Sequence, residues 1–307
     1  MKRWILLLAL TSTTTTAQEP ALSISVHAFD QGGPFHRRVV VVSNRDQDVV
    51  RDRRLLRFTF RAEGSRRRHT CVHPSAPRRV SEPRVARMAA GDRYEEWVDL
   101  RMYCWGRALK ALSRGGEITA TYGFRRRGRR QWIARVDGER RPLHRVELGG
   151  TPWGGVPVPA TANDVTVALS PATVRGSWPT FRPRVRGQGR VYLRDDLWSF
   201  LVRGPLGVVS CEPQRHPVTP IVDFFVRLSR RGRSASLDAS LYCPDDTFRV
   251  EGVYEVTPSL ELIYDAEAFS FDAITGEFEG APQAIRVLRR GAPYVVQDPS
   301  NFGGAHE

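Results

Sequence analysis

The chain repeats itself. Cys71 and Cys104 stand 33 residues apart and Cys211 and Cys243 stand 32 apart. Each pair ends in the same dipeptide, Tyr103-Cys104 and Tyr242-Cys243. Further landmarks recur in the same order at a shift of roughly 139 residues. Leu55-Leu56-Arg57-Phe58 matches Leu197-Trp198-Ser199-Phe200, Pro74 matches Pro213, Gly91 matches Gly232, and Gly116 matches Gly252. Ala134 matches Ala273, and Gly138-Glu139 matches Gly276-Glu277. Gly and Pro mark turns in any chain, so each match alone is weak. The ordered set with a nearly constant shift denotes two copies of a whole domain rather than a solenoid of small units. A length of 307 residues agrees with two domains.

The start of the chain bears on the cysteines. Residues 1–17 read as a secretory signal: Lys2 and Arg3, then the apolar stretch Trp4 to Leu10, then Thr15-Thr16-Ala17 as a small-residue cleavage site before Gln18. The apolar run is too short to cross a bilayer, and no later segment is long and apolar enough. The mature chain is therefore expected to be secreted or periplasmic, with no transmembrane segment. Four cysteines in an oxidising compartment imply two bridges. Three pairings are open to four cysteines, and the duplication selects Cys71–Cys104 with Cys211–Cys243, because each copy would carry its own. Chain entropy assigns roughly 3–4 kcal/mol to closing each such loop.

Strand signals fill both copies. Leu22 to Ala28 and Leu55 to Arg61 alternate apolar and polar residues, and Arg38 to Val42 is a β-branched run. Tyr94 to Leu100, Glu117 to Phe124 and Gln131 to Val136 read as strands, the last two forming a hairpin with an Arg-rich tip. In the second copy Val165 to Leu169, Arg190 to Leu193, Trp198 to Val202, Phe224 to Leu228 and Val253 to Thr257 are strand-like. The uncharged run Gly149 to Pro159 reads as a linker stiffened by prolines. The expectation is an all-β protein of two tandem antiparallel immunoglobulin-like sandwiches, one disulfide each. Its parts are a signal peptide (1–17), domain 1 (18–148), a linker (149–162), domain 2 (163–296) and a disordered tail (297–307).

One stretch carries a resemblance. Gly91 through Asp99-Leu100, Tyr103, Gly116 and Tyr122 resembles immunoglobulin-like modules that precede the catalytic domain of deuterolysin-type metallopeptidases, and bacterial proteinase-inhibitor-like modules. The second copy shows the pattern at Gly232, Asp238, Leu241-Tyr242 and Gly252-Val253-Tyr254. The resemblance covers about a third of each copy and implies a sandwich fold and a non-catalytic role. The chain lacks His-Glu-x-x-His, so no zinc-peptidase activity carries over.

Charge is placed unevenly. Residues 18–150 hold 29 Lys and Arg against 15 Asp and Glu, whereas residues 151–307 hold 16 against 18. The arginines of the first copy fall in clusters: Arg51, Arg53 and Arg54; Arg66, Arg67 and Arg68; Arg78-Arg79; Arg125, Arg126, Arg127, Arg129 and Arg130; Arg140-Arg141. Converging on one face, Arg66 to Arg68 and Arg125 to Arg130 would hold a polyanion, with affinity that falls steeply with salt. No motif that reads nucleic-acid sequence is present, and aromatic residues do not interleave with the basic runs.

Other chemistry is weaker. In His69-Thr70-Cys71-Val72-His73 the two imidazoles and the thiol share one strand face, a copper or zinc pattern. The second copy has Val209 and Pro213 in their place, and the thiol is better explained as half of a disulfide, so no metal is expected. Asp195-Asp196 and Asp245-Asp246 lack the alternating spacing of a calcium loop. Asp265, Glu267, Asp272, Glu277 and Glu279 give the second copy an acidic end that would dock on the basic copy, within or between chains. With no Gly-x-Ser-x-Gly and no free thiol, no catalytic residue or cofactor is assigned. The reading is a non-catalytic envelope protein that contacts another envelope protein or an anionic polymer. The alternative is a secreted proteinase inhibitor presenting Val72 to Pro83.

Overall fold

A computed structural model describes residues 21–28, 35–76, 85–125, 132–143, 165–176, 178–215 and 219–288. The segments read as signal, linker and tail lie outside the described residues. The first unit runs through β1 (Leu22–Ala28), β2 (His36–Ser43), β3 (Gln47–Val50), β4 (Arg57–Ala62), β5 (Arg68–Val72), β6 (Val85–Met88) and β7 (Arg93–Asp99). The short helices α1 (Leu100–Tyr103) and α2 (Arg107–Leu112) follow, then β8 (Gly116–Arg125), β9 (Trp132–Asp137) and β10 (Arg141–Leu143). One sheet has the order β1-β2-β7 and the other β10-β8-β4-β5, with β9 also on β8 and β3 paired to β6. These are the A-B-E and G-F-C-C′ sheets of an immunoglobulin-like sandwich.

The second unit comprises β11 (Thr166–Leu169), β12 (Ala172–Arg175), β13 (Thr180–Phe181), β14 (Pro183–Arg186), β15 (Gly189–Tyr192), β16 (Trp198–Gly204) and β17 (Gly207–Cys211). It continues with β18 (Phe225–Leu228), β19 (Arg233–Ser234), β20 (Leu237–Asp238), β21 (Gly252–Leu262), β22 (Gly276–Glu279) and β23 (Gln283–Leu288). Its sheets repeat the first unit: β11-β14-β19 beside β23-β21-β16-β17, with β22 on β21 and β15 on β18. The addition is β12, which pairs parallel to β23. Among the described residues no strand pairs from one unit to the other. The chain is thus all-β with two domains.

Alternation builds each core. On β4, Phe58, Phe60 and Ala62 point inward while Arg57, Thr59 and Arg61 point outward. Phe58 lies opposite both Cys71 and Ala120, and Leu22, Ile24, Val26, Val39 and Val41 cover it from the other sheet. Burying each large apolar side chain contributes about 1.5–3 kcal/mol.

One corner of each sandwich is built twice. Cys71 on β5 joins Cys104, which directly follows α1, so the bridge ties one sheet to the other. Cys211 on β17 joins Cys243 in the same way. The Asp99 carboxylate accepts the Arg101 N–H and caps α1, and Asp238 accepts from Ser240 N–H at the matching turn. The Tyr103 hydroxyl donates to the Arg53 carbonyl at 2.8 Å, and the Tyr242 hydroxyl donates to the Asp195 carbonyl at 2.8 Å. Each tyrosine packs edge-on against its own phenylalanine, Phe58 or Phe200. Sheet register corrects two of the landmark matches. Gly138 and Gly280 each donate their N–H, to the carbonyls of Ala120 and Pro258, and each lies against β1 or β11. The counterpart of Gly138 is therefore Gly280, not Gly276. Likewise Glu117 pairs with Arg61 as Glu255 pairs with Arg203, so Gly116 corresponds to Tyr254, not Gly252.

Candidate polyanion-binding face

The outward face of β5, β4 and β8 is a polar surface, and its Arg61 and Arg68 lie at the opposite end of the β4–β5 pair from His73, which meets domain 2. Registered rows run across it: Arg68, Arg61 and Glu117, then Thr70, Thr59 and Thr119. Period-2 alternation puts these side chains in solvent because the intervening Phe58, Phe60, Ile118 and Ala120 fill the core. A groove of about 440 Å³ lies over this face, lined by Thr59, Arg61, Arg68, Glu117, Thr119 and Arg140. Arg61 Nη2 stands 3.3 Å from Glu117 Oε2, and Arg140 Nη1 stands 4.0 Å from the same oxygen. One carboxylate therefore meets two guanidinium groups, and Arg68 lines the same groove opposite Arg61. Exposed ion pairs of this kind are weak, so an incoming anion competes for the arginines at low cost. Arg66 and Arg67 are exposed beside the groove, on the hairpin loop turned by Ser65 and Gly64.

The anticipated arginines do not all meet. Only the backbone of Arg125 is described, and Arg126, Arg127, Arg129 and Arg130 lie outside the described residues, as do Arg78-Arg79 and the Arg-rich hairpin tip. The strand places Arg125 eight positions along β8 from Glu117, about 27 Å away at the usual strand rise. Arg125 and the Arg66 to Arg68 cluster thus belong to opposite ends of one sheet. Arg53 is buried, and burial pulls its guanidinium down to about 10 despite Tyr103, Glu96 and Glu251 nearby. Arg54 is held by a forked contact to Asp52. Sequence reasoning missed Arg61, which the alternation of β4 would have placed beside Arg68.

The histidine pattern serves packing and domain docking. His69, Cys71 and His73 do share a strand face, but Cys71 is in its disulfide and His69 stacks on Phe60 at 5.0 Å. His73 is buried, accepts the Ser75 N–H at Nδ1, and sets Nε2 3.2 Å from Glu251 of domain 2. Burial lowers its pKa, against the opposing pull of Glu251. Among the described residues no group of three or more His, Cys, Asp or Glu is placed to hold a metal. Of the loop Val72 to Pro83, residues 77–83 lie outside the described residues.

Domain docking is buried and ionic. Asp99 holds Arg101 in a fork at 2.7–3.0 Å, and Arg101 Nη1 donates to Glu255 on β21. His36 approaches Asp99 at 3.7 Å. Burial works against the Asp99 charge, but Arg101 and His36 hold its carboxyl below the usual range. From β23, Arg286 donates to the Met102 carbonyl at 3.0 Å and lies over the Trp105 ring. Val253 and Leu288 join the core of domain 1. The acidic residues expected to dock on domain 1, Asp265 to Glu279, sit instead at or beyond the other end of β21, and Glu251 and Glu255 carry the contact within the chain.

No protein-family model matches the chain, and no curated protein matches it. Among solved structures, red sea bream transglutaminase aligns over 88% of this chain and 32% of its own, with 11% identity and a TM-score of 0.22. This chain thus spans about a third of the length of that protein, and a likeness at that level carries no functional argument. Among the described residues no helix is long and apolar enough to cross a membrane.

Proposed function

We propose that the protein is an exported, non-catalytic binding protein of the cell envelope, and that domain 1 contacts an anionic polymer. The observation that carries this reading is the groove in which Arg61 and Arg140 meet a single carboxylate, beside Arg68 and above a row of threonine hydroxyls. Guanidinium forks match sulfate, phosphate and carboxylate oxygens, and hydroxyls add neutral hydrogen bonds to sugar or ester oxygens. Two disulfides with no free cysteine among the described residues suit an oxidising compartment, in keeping with the signal-like residues 1–17. Heparin and double-stranded DNA serve as probes on the full mature chain. Retention should fall with salt, with a slope near −0.9 per neutralised charge on DNA. Removing Arg61, Arg68 and Arg140 together should reduce that slope by about 2–3. Retention that the triple alanine variant leaves unchanged would sink the proposal.

A further inference from the structure

We infer that the free end of domain 2 is a docking surface for the basic end of domain 1 in a second copy of the chain, so that molecules join head to tail. The argument starts from the duplicated corner. Asp99, Arg101, Met102, Tyr103 and Cys104 correspond to Asp238, Ser240, Leu241, Tyr242 and Cys243, with the same cap, tyrosine bond and disulfide. In domain 1 this corner is covered by domain 2. Met102 is 2% exposed and Arg101 is buried, because Arg286, Val253 and Glu255 pack over α1. In domain 2 the same corner is open. Leu241, in the place of Met102, is 74% exposed, and Ser240 is exposed beside it. An isolated surface leucine means little. This one occupies a position that the other copy buries under a docked domain.

The complementary half also exists. The end of domain 2 that covers α1 is the start of β21, where Glu255 lies opposite Arg203. Its counterpart in domain 1 is the start of β8, where Glu117 lies opposite Arg61, and this is the groove end. The Arg101–Met102 corner and Glu255, which meet in the existing contact, thus have their counterparts in Ser240–Leu241 and in Glu117. The charges around these counterparts are opposite. Asp195, Asp238, Asp245 and Asp246 are exposed on the segments next to Leu241 against one exposed arginine, Arg249, while Arg61, Arg66, Arg67, Arg68 and Arg140 are exposed at the groove against Glu63, Glu117 and Glu139. A contact between two different surfaces of one chain does not close on itself, so it extends into open assemblies. This goes beyond the polyanion reading and does not depend on it.

Sedimentation velocity of the full mature chain, from micromolar to near-millimolar concentration and at low and high salt, tests the inference. Assemblies should grow past the dimer with concentration and shrink with salt. Leu241→Asp should weaken association by about tenfold or more, as should the Arg61, Arg68 and Arg140 triple alanine variant. Circular dichroism melts confirm that both variants are folded. Leu241→Asp should keep its retention on heparin, which separates this interface from polyanion binding. A chain that stays monomeric, stops at a dimer, or assembles equally well as Leu241→Asp overturns the inference.

Discussion

Replacing Arg101 by Met tests whether the two domains are held together by buried charge. Arg101 and its two partners, Asp99 and Glu255, are all close to fully buried. Methionine keeps most of the side-chain volume and removes the cation between two carboxylates. Breaking a buried pair by deleting one partner typically costs about 3–5 kcal/mol, because the remaining charge is neither solvated nor matched. Asp99 keeps the cap bond from the backbone N–H of residue 101 and the nearby His36, which places the expected loss at about 3 kcal/mol, the low end of that range. Against a domain stability of about 5–15 kcal/mol, such a loss is large. The exposed pair Arg61–Glu117 supplies the control, since Arg61→Met should cost under about 1 kcal/mol. Guanidinium unfolding at neutral pH, followed by tryptophan fluorescence and circular dichroism, reads both variants. The Arg101 variant should also separate the unfolding transitions of the two domains, because the contact between them is weakened; Trp198 reports on the core of domain 2 and Trp105 on the contact itself. If Arg101→Met behaves like Arg61→Met, the ionic account of docking is wrong.

Two further outcomes follow from buried groups. His36 lies near Asp99, Arg101, Glu255 and Arg37, and His73 near Glu251, Arg53 and Arg54; burial lowers the pKa of both. Below about pH 6.5 the unfolded histidines take up protons that the folded ones refuse, so stability should fall with acid by about 1.4 kcal/mol per pH unit for each. The loss begins near the unfolded pKa and stops once pH has dropped through the folded values. Denaturant midpoints between pH 7 and 5 measure it, and His73→Gln should remove about half of the slope; an unchanged slope counts against the assignment. A methyl group added at Gly138 would start 2.7 Å from the Ile24 carbonyl oxygen, and one at Gly280 would start 2.7 Å from that of Val167. Each alanine variant should lose about 1–3 kcal/mol in its own domain. Equal melting of wild type and both variants would refute the correspondence of these two glycines.

Some of this was legible from residues and some was not. The disulfides follow from spacing plus duplication, and the β4 and β16 strands follow from alternation around Phe58 and Phe200. The Gly138 match failed because matching letters chose Gly276-Glu277. Residues 121 and 137 are paired across β8 and β9, whereas 259 and 279 are paired across β21 and β22, so the second connection is four residues longer. A ladder counts hydrogen-bonded partners and ignores loop length, and letter matching does the reverse. The docking charges were invisible for a different reason. Arg101 meets Glu255, and His73 meets Glu251, across more than 150 residues of chain, with no local pattern to announce the partner. The one available signal was the contrast between copies: Arg101 stands where the second copy has Ser240, and His73 where it has Pro213.

That contrast explains which face became an interface. The features kept in both copies, namely the aspartate cap, the tyrosine bond, the disulfide and the facing phenylalanine, all concentrate at one corner where the two sheets meet. A corner tied covalently and by a buried hydroxyl loses little further conformational entropy when something packs on it, so it is a cheap platform for docking. Domain 1 equips the platform with Arg101 and the Met102 carbonyl, and the strand ends of domain 2 supply Glu255 and Arg286 to meet them. Domain 2 equips the same platform with an exposed leucine flanked in the chain by Asp238, Asp245 and Asp246. Such a surface rejects the strand end of its own domain type, which carries Glu251 and Glu255, by placing carboxylates opposite carboxylates. It accepts the corresponding end of domain 1, where Arg61, Arg66, Arg67, Arg68, Arg140 and Arg141 outnumber Glu63, Glu117 and Glu139. Divergence at a few positions around a shared skeleton thus sets the order in which copies can stack.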